Sequence, residues 1–308
     1  MKPRVLMPMR AIALLRVTFA CLLAAVTLTA GVQDLAEIRE RGVLRHLGVP
    51  YARFVVDSNE GLDVEIMQRF AKHIGVRYEF VQSGWYSIFQ DLIGQNIEYK
   101  PVIRAFGSRA IRGDVIGSGL TVLPGRDNIV DFSTPTFPTA VWLMARSASV
   151  VQPITPSGNL AADIKATKAK LKQGTTFVID NTCLDPALYD LEGKGYTLKR
   201  FTREINLNDI VPAVFKQESE MTLLDVPDII VALEKWPGQI KVIGPISGEQ
   251  RMAAAFRKTS PALRQAFNEF LAELQRDGTY MELVRKYYRS APRYLPEYFR
   301  ELGMANAR

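Results

Sequence analysis

Residues 113–126 read Gly113-Asp114-Val115-Ile116-Gly117-Ser118-Gly119-Leu120-Thr121-Val122-Leu123-Pro124-Gly125-Arg126, and Val130-Asp131-Phe132-Ser133-Thr134-Pro135 follows close behind. Asp114-Val115-Ile116 is short and apolar enough for a buried strand, and small residues come directly after it. Gly117-Ser118-Gly119 lacks the outer glycine spacing of a nucleophile elbow, so Ser118 does not announce a hydrolase. Arg126 offers a planar fork that suits a carboxylate. By spacing alone it could equally pair with Asp127 or Asp131.

Working outward, the flanking elements repeat one rhythm. Asp34 to Gly42 reads as a short helix and Val43 to Val49 as a strand. Ile66, Met67, Phe70, Ala71 and Ile74 fall at helical spacing, with Gly75 placed for a left-handed cap. Val76 to Val81 is a second strand, and Ile88, Phe89, Leu92 and Ile93 mark a helix that ends at Gly94. This alternation predicts a parallel sheet with right-handed crossovers. Thr139 to Arg146 is a further strand, and the Ser-, Pro- and Gly-rich stretch Ser147–Leu160 reads as a linker or domain edge. A second set begins with strand Thr176–Ile179, helix Leu184–Leu191, strand Thr197–Phe201, helix Asn208–Phe215, and strands Met221–Leu224 and Ile240–Ile243. Pro261 to Leu274 puts Leu263, Phe267, Phe270, Leu271 and Leu274 on one helical face. Asn96 to Arg112, carrying Arg104, Arg109 and Arg112, is longer than an ordinary connection and reads as an insertion.

The chain has 308 residues, 47% apolar and 23% charged, a globular composition. Its formal charge is +7, with 39 basic and 32 acidic residues. Residues 1–30 hold Lys2, Arg4, Arg10 and Arg16 and no acid; without these four, 35 basic residues stand against 32 acidic ones, a balance of +3. So mild an excess, with 9% aromatics, gives no case for nucleic-acid binding. The basic start, the uncharged run Val17–Leu28 and the small residues Thr29-Ala30-Gly31 read as a secretory signal peptide over 1–30, cut near Ala30. Cys21 sits inside the apolar run, which argues against lipidation there. Cleavage leaves Cys183 as the single cysteine, so no internal disulfide is expected. His46 and His73 lack metal-ligand spacing to each other or to Cys183, and neither a metal nor any other cofactor is expected. The phosphate-cradling G-x-x-x-x-G-K-[ST] pattern is absent.

The quoted stretch resembles the periplasmic amino-acid-binding proteins of ABC transporters, the polar amino acid group of family 3 extracellular solute-binding proteins. Tyr51-Ala52-Arg53-Phe54, Gly61-Leu62-Asp63-Val64-Glu65, Trp85-Tyr86-Ser87-Ile88, Asn181-Thr182-Cys183-Leu184-Asp185, Leu224-Asp225, Ala266-Phe267-Asn268, Asp277-Gly278-Thr279-Tyr280 and Lys286-Tyr287-Tyr288 recur in the family's order. The resemblance spans about residues 35 to 290. It implies an α/β fold of two lobes, the type II periplasmic binding fold, with lobe one over 31–138 and 251–308 and lobe two over 139–250. Two hinge strands cross between them, and the lobes close on a small molecule.

By the same resemblance, Arg126 takes the ligand's α-carboxylate with Thr121 and the backbone N–H groups around Ser118 and Gly119. Thr182, at the start of the expected second-lobe helix, adds a donor. Asp225 meets the ammonium, and Tyr51 and Trp85 wall the side chain. Each has a plainer alternative: Asp225 as an ordinary helix-start residue, Tyr51 and Trp85 as core, Cys183 as a buried filler. Gly48-Val49-Pro50 offers no second carboxylate, and Gly119 stands where a serine is common. An arginine of the insertion reaching the cleft would shift the preference toward a dicarboxylate or another anion. The implied function is a monomeric periplasmic receptor that hands an amino acid or small carboxylate to an ABC permease, with no catalytic residues. The same fold serves cyclohexadienyl dehydratases, for which Asp225 or Glu60 would be the acid, and ligand-sensing modules. It also serves lytic murein transglycosylases, whose additional domain the eighteen residues after Ser290 do not supply.

Overall fold

The computed structural model describes residues 34–100, 102–202 and 207–303. The proposed signal peptide lies outside them. Asp34 caps helix Leu35–Arg41 through a capping box with Glu37, and Gly42 ends it in the left-handed conformation. Strand β1 (Val43–Gly48) runs parallel to β2 (Arg77–Gln82) and to β5 (Val115–Ile116), joined by helices Leu62–His73 and Ile88–Ile93.

The alternation predicts a parallel sheet, but the sheet is mixed. Two antiparallel strands complete it, β6 (Asp131–Thr139) and β12 (Gln250–Phe256), in the order β2-β1-β5-β12-β6. Pro135 and Pro138 obscure β6 in the sequence. As an edge strand, β6 tolerates two residues that cannot donate to a ladder.

A second five-stranded sheet is ordered β11-β7-β10-β8-β9, from β7 (Val141–Arg146), β8 (Thr175–Val178), β9 (Thr197–Arg200), β10 (Met221–Asp225) and β11 (Ile240–Pro245). The chain passes from β6 to β7 through the single residue Ala140 and returns from β11 into β12, so two adjacent strands link the sheets. Around this crossing the Val141 carbonyl accepts from Ile246 N at 2.8 Å and Ser247 N at 3.0 Å. Ser247 Oγ in turn accepts from Val141 N at 2.8 Å.

Helix Pro261–Arg276 buries Leu263, Phe267, Phe270, Leu271 and Leu274. It packs back on the first sheet, with the Phe267 ring 5.2 Å from Phe70 and 5.6 Å from Phe256. Helix Thr279–Tyr288 joins it against helix Leu62–His73.

Other local expectations change. Ser147–Leu160 is not a domain edge: it connects β7 to helix Leu160–Lys170 within the second lobe, and Ile154 N donates to Ile243 O at 2.9 Å. The helix expected over Leu184–Leu191 shrinks to one 3-10 turn, Pro186–Tyr189. The 96–112 insertion forms a two-stranded hairpin of β3 (Asn96–Glu98) and β4 (Arg104–Phe106). His46 is fully buried between Tyr78 Oη at 2.8 Å and Gly117 O at 2.6 Å, and burial lowers its pKa to about 4. It is a structural imidazole. Among the described residues no helix is long and apolar enough to cross a membrane, and no group of three His, Cys, Asp or Glu could hold a metal ion.

Candidate functional site

Gly125, at φ +81°, turns the chain so that Arg126 points inward from one turn of 3-10 helix. The guanidinium is 5% exposed, donates to Thr121 O at 2.8 Å and Asn181 O at 3.1 Å, and lies 5.1 Å from the Phe89 ring centre. Asn181 belongs to the second lobe, so Arg126 already touches both. Neither acid that the sequence offered is its partner: Asp127 is exposed, and Asp131 faces Lys258 at 3.6 Å and Arg264 at 3.9 Å. Among the described residues Arg126 forms no ion pair. A buried cation held only by carbonyl dipoles is costly, and burial accordingly lowers its pKa.

Beside it, Thr121 is buried and bridges to Met252 of β12. Its Oγ1 makes no well-formed hydrogen bond among the described residues, the Cys183 thiol being the polar group close to it, and the buried indole nitrogen of Trp85 makes none either. Native interiors rarely leave such groups unmet, so the Thr121 hydroxyl next to the Arg126 clamp makes this the candidate place for a ligand.

Ser118 and Gly119 do other work. Ser118 Oγ donates to Val49 O at 2.8 Å and accepts from Val49 N at 3.0 Å. The Gly119 N–H donates to Asp63 Oδ2 at 2.7 Å. The Ser118 hydroxyl and the Gly119 N–H thus hold the loop after β5 in place. Gly119 has φ +57°, and a Cβ there would come within 2.4 Å of the Phe54 ring, so the serine common at this position has no room.

Across the cleft, Asp225 ends β10 and precedes helix Val226–Lys235, yet its side chain makes no cap bond. Instead Oδ2 accepts from Tyr51 Oη at 2.8 Å and Cys183 Sγ at 3.0 Å, and Oδ1 accepts from Thr139 Oγ1 at 3.2 Å. Tyr51 comes from the first lobe and Cys183 from the second, which makes the thiol more than filler. Burial raises the Asp225 pKa, and the three donors and Arg126 oppose that shift. Asp225 and Arg126 therefore feel each other's charge without making contact. Tyr51 also stands edge-on to Trp85, ring centres 5.4 Å apart.

Thr182 sits beside Arg126, but the expected helix terminus behind it is missing. Its hydroxyl donates to Ile179 O at 2.8 Å and accepts from Leu184 N at 3.0 Å. Asp228, which the sequence motifs do not single out, is a second buried carboxyl of this wall. Burial, and then the Asp225 charge, push its pKa well up. Its i+3 spacing, which puts both acids on one side of the first helical turn, was the available signal.

A cavity of about 410 Å³ opens at Arg126, Asn181 and Thr182 and is covered by Tyr99 and Lys100 of the hairpin. The insertion does reach the cleft, but not through its arginines. Arg104 pairs with Glu98, Arg109 reaches Gln90 and Asn96, and Arg112 meets Asp91 at 2.8 Å. Nothing in the residue types of 96–106 foretold which side chains would face inward. Glu60, offered as an alternative acid, is exposed.

The sequence pattern that defines the bacterial extracellular solute-binding proteins, family 3, matches residues 103–290. The chain belongs to that family. It is 25% identical over 262 residues to membrane-bound lytic murein transglycosylase F of Desulfosudis oleivorans, covering 83% of this chain and 51% of that protein. To the L-cystine-binding protein TcyJ of Escherichia coli it is 25% identical over 268 residues, covering 82% and 85%. It thus spans about half of the transglycosylase and most of the cystine binder. Among solved structures, an ancestral amino acid-binding protein described as a precursor of cyclohexadienyl dehydratase superposes with a TM-score of 0.63 at 24% identity over 82% of this chain and 98% of the other. Holo ArgBP from T. maritima superposes with a TM-score of 0.60 at 23% identity, covering 82% and 99%. These likenesses establish the two-lobe binding-protein fold.

Proposed function

We propose that the protein is a periplasmic receptor that closes on an amino acid or amino-acid-like solute and delivers it, as a monomer, to an ABC permease. The observation that carries this reading is Arg126: a buried guanidinium without a counter-anion, set against a buried carboxylate, Asp225, that it does not touch. A zwitterion suits that pair of charges. Its carboxylate neutralises Arg126 and accepts from Thr121 Oγ1, its ammonium shares Asp225, and Tyr51 and Trp85 flank what lies between. Thr182 lines the approach rather than donating a proton. Relatives named for L-cystine and for amino acid binding support the solute class.

In this reading lobe one comprises 31–138 and 251–308, lobe two 139–250, and residues 1–30 direct export. The flexing occurs where β6 meets β7 and β11 meets β12. The described structure is the closed form, because Tyr51 bonds Asp225 and Arg126 bonds Asn181 across the cleft. A sensing role uses the same pocket and differs only in the membrane partner.

The test is a thermal-shift screen of the protein against amino acids, dicarboxylates and amines. A ligand at a hundred times its Kd stabilises by about 2.7 kcal/mol. Stabilisation by amino acids is expected; stabilisation only by compounds without an amino group would overturn the role of Asp225. One observation favours an enzymatic reading instead. Asp225 and Asp228 are adjacent buried acids with raised pKa values, as a general acid requires. Turnover of any ligand found in the screen would establish it.

A further inference from the structure

The hairpin over the cleft mouth is fixed, not loose. Ile97, Ile103 and Ala105 pack on the core formed by Ile88, Phe89, Leu92 and Ile116, and Ile103 O accepts from Asn128 Nδ2 at 3.4 Å. Arg104 is taken by Glu98 within the hairpin, and Arg109 and Arg112, which follow it, are taken by Gln90, Asn96 and Asp91. What remains at its tip are Tyr99 and Lys100, which share the cavity of about 410 Å³ with Arg126 and the second-lobe residues Asn181 to Leu188. Tyr99 is partly buried and lies within the electrostatic reach of Arg126. Lys100 is exposed and has no ion pair among the described residues. The acid on the opposite wall does not supply one: Asp185 Oδ2 accepts from Asn181 N at 2.8 Å and Oδ1 from Ala187 N at 2.9 Å. One cavity therefore carries a buried cation, a second cation at its lip and a phenol, and its acid is already satisfied by backbone donors.

We propose that Tyr99 and Lys100 form a second anion-recognition point, and that the preferred ligand is an amino-acid-like compound with a distal acidic group. This rests on the reading of Arg126 as the α-carboxylate clamp. The ligand's first carboxylate meets Arg126, and its second extends toward the mouth, where Lys100 supplies the charge and Tyr99 a hydroxyl donor. The specificity comes from the inserted hairpin, which brings a lysine to a place the arginines of the same insertion do not reach.

Titration calorimetry with glutamate against glutamine, and aspartate against asparagine, tests it, since each pair differs in distal charge at nearly equal shape. The wild-type protein should prefer the acid of at least one pair. Lys100→Ala should lower affinity for that acid about tenfold, the size of a charge-assisted contact at a half-open site, and leave the amide within about twofold. Lys100→Arg should keep the preference. Equal or better binding of the amides by the wild type, or an equal loss for acid and amide in Lys100→Ala, overturns the proposal. If other amino acids bind but neither pair does, the second recognition point falls and the receptor reading stands. If no amino acid binds, both fall.

Discussion

The two walls of the cleft handle buried charge in opposite ways. On the first lobe Arg126 has two carbonyl oxygens and an aromatic face but, among the described residues, no anion. On the second, Asp225 already has three protein donors, from Tyr51, Cys183 and Thr139. An unpaired buried guanidinium is an unmet demand, whereas a hydrogen-bonded carboxylate is largely satisfied. The ligand's anionic end should therefore dominate affinity. Its ammonium end shares an acid that three other groups have already stabilised.

The sharpest way to break this asymmetry is Arg126→Ala. Affinity should fall by a factor of tens to thousands, since truncating one partner of a buried charge pair costs about 2–5 kcal/mol. The ligand-free Tm should stay level or rise, because the substitution also removes an uncompensated buried cation. A large fall in ligand-free stability would show that Arg126 is a structural residue. Asp225→Asn should weaken binding less, about tenfold, because the remaining oxygen still accepts from Tyr51 and Cys183 and only the longer Thr139 contact loses its acceptor. A loss equal to that of Arg126→Ala would erase the asymmetry.

Away from the ligand, two buried groups make opposite pH claims. Burial raises Asp63 to about 6, so its contribution to stability is present at low pH and is lost as pH rises from about 4 through 6. Burial lowers His46 to about 4, so its contribution is present above about 6.5 and is lost as pH falls toward 4. Each amounts to about 3 kcal/mol across that window, and the two largely cancel. Asp63→Asn keeps an acceptor for Gly119 N–H but removes one side of the balance, so its Tm should drop more steeply than wild type between pH 6.5 and 4. Parallel melting curves across that range would contradict the assignment. The smallest effect is expected from Tyr51→Phe, which deletes one interlobe bond to Asp225. Chemical unfolding should report a loss of about 0.5–1.5 kcal/mol.

Much of this could be read in the chain. The Val-Ile strand after Asp114, the helix stops at Gly42 and Gly94 and the apolar face of Pro261–Arg276 all follow local rules, and the structure keeps them. β6 was hidden because two prolines argue against a strand until its edge position is known. Residue type also pointed to Arg126, Thr121 and Asp225. What residue type does not show is availability, which depends on contacts made by other parts of the chain. Val49 takes the Ser118 hydroxyl, Asp63 takes the Gly119 N–H, and the turn at Ile179 and Leu184 takes Thr182. Lys100 reaches the cavity mouth for the converse reason: the strands that place it pair over three residues each, too short to leave a pattern in the sequence.

The central claim is that one ligand spans from Arg126 to Asp225, with the greater share of its affinity at the arginine. It is tested most directly by titration calorimetry of the wild-type protein with the most stabilising amino acid, its methyl ester and its des-amino analogue. The account predicts that the α-ester loses affinity about a hundredfold or more and the des-amino compound about tenfold. An ester that binds as tightly as the parent acid would contradict it.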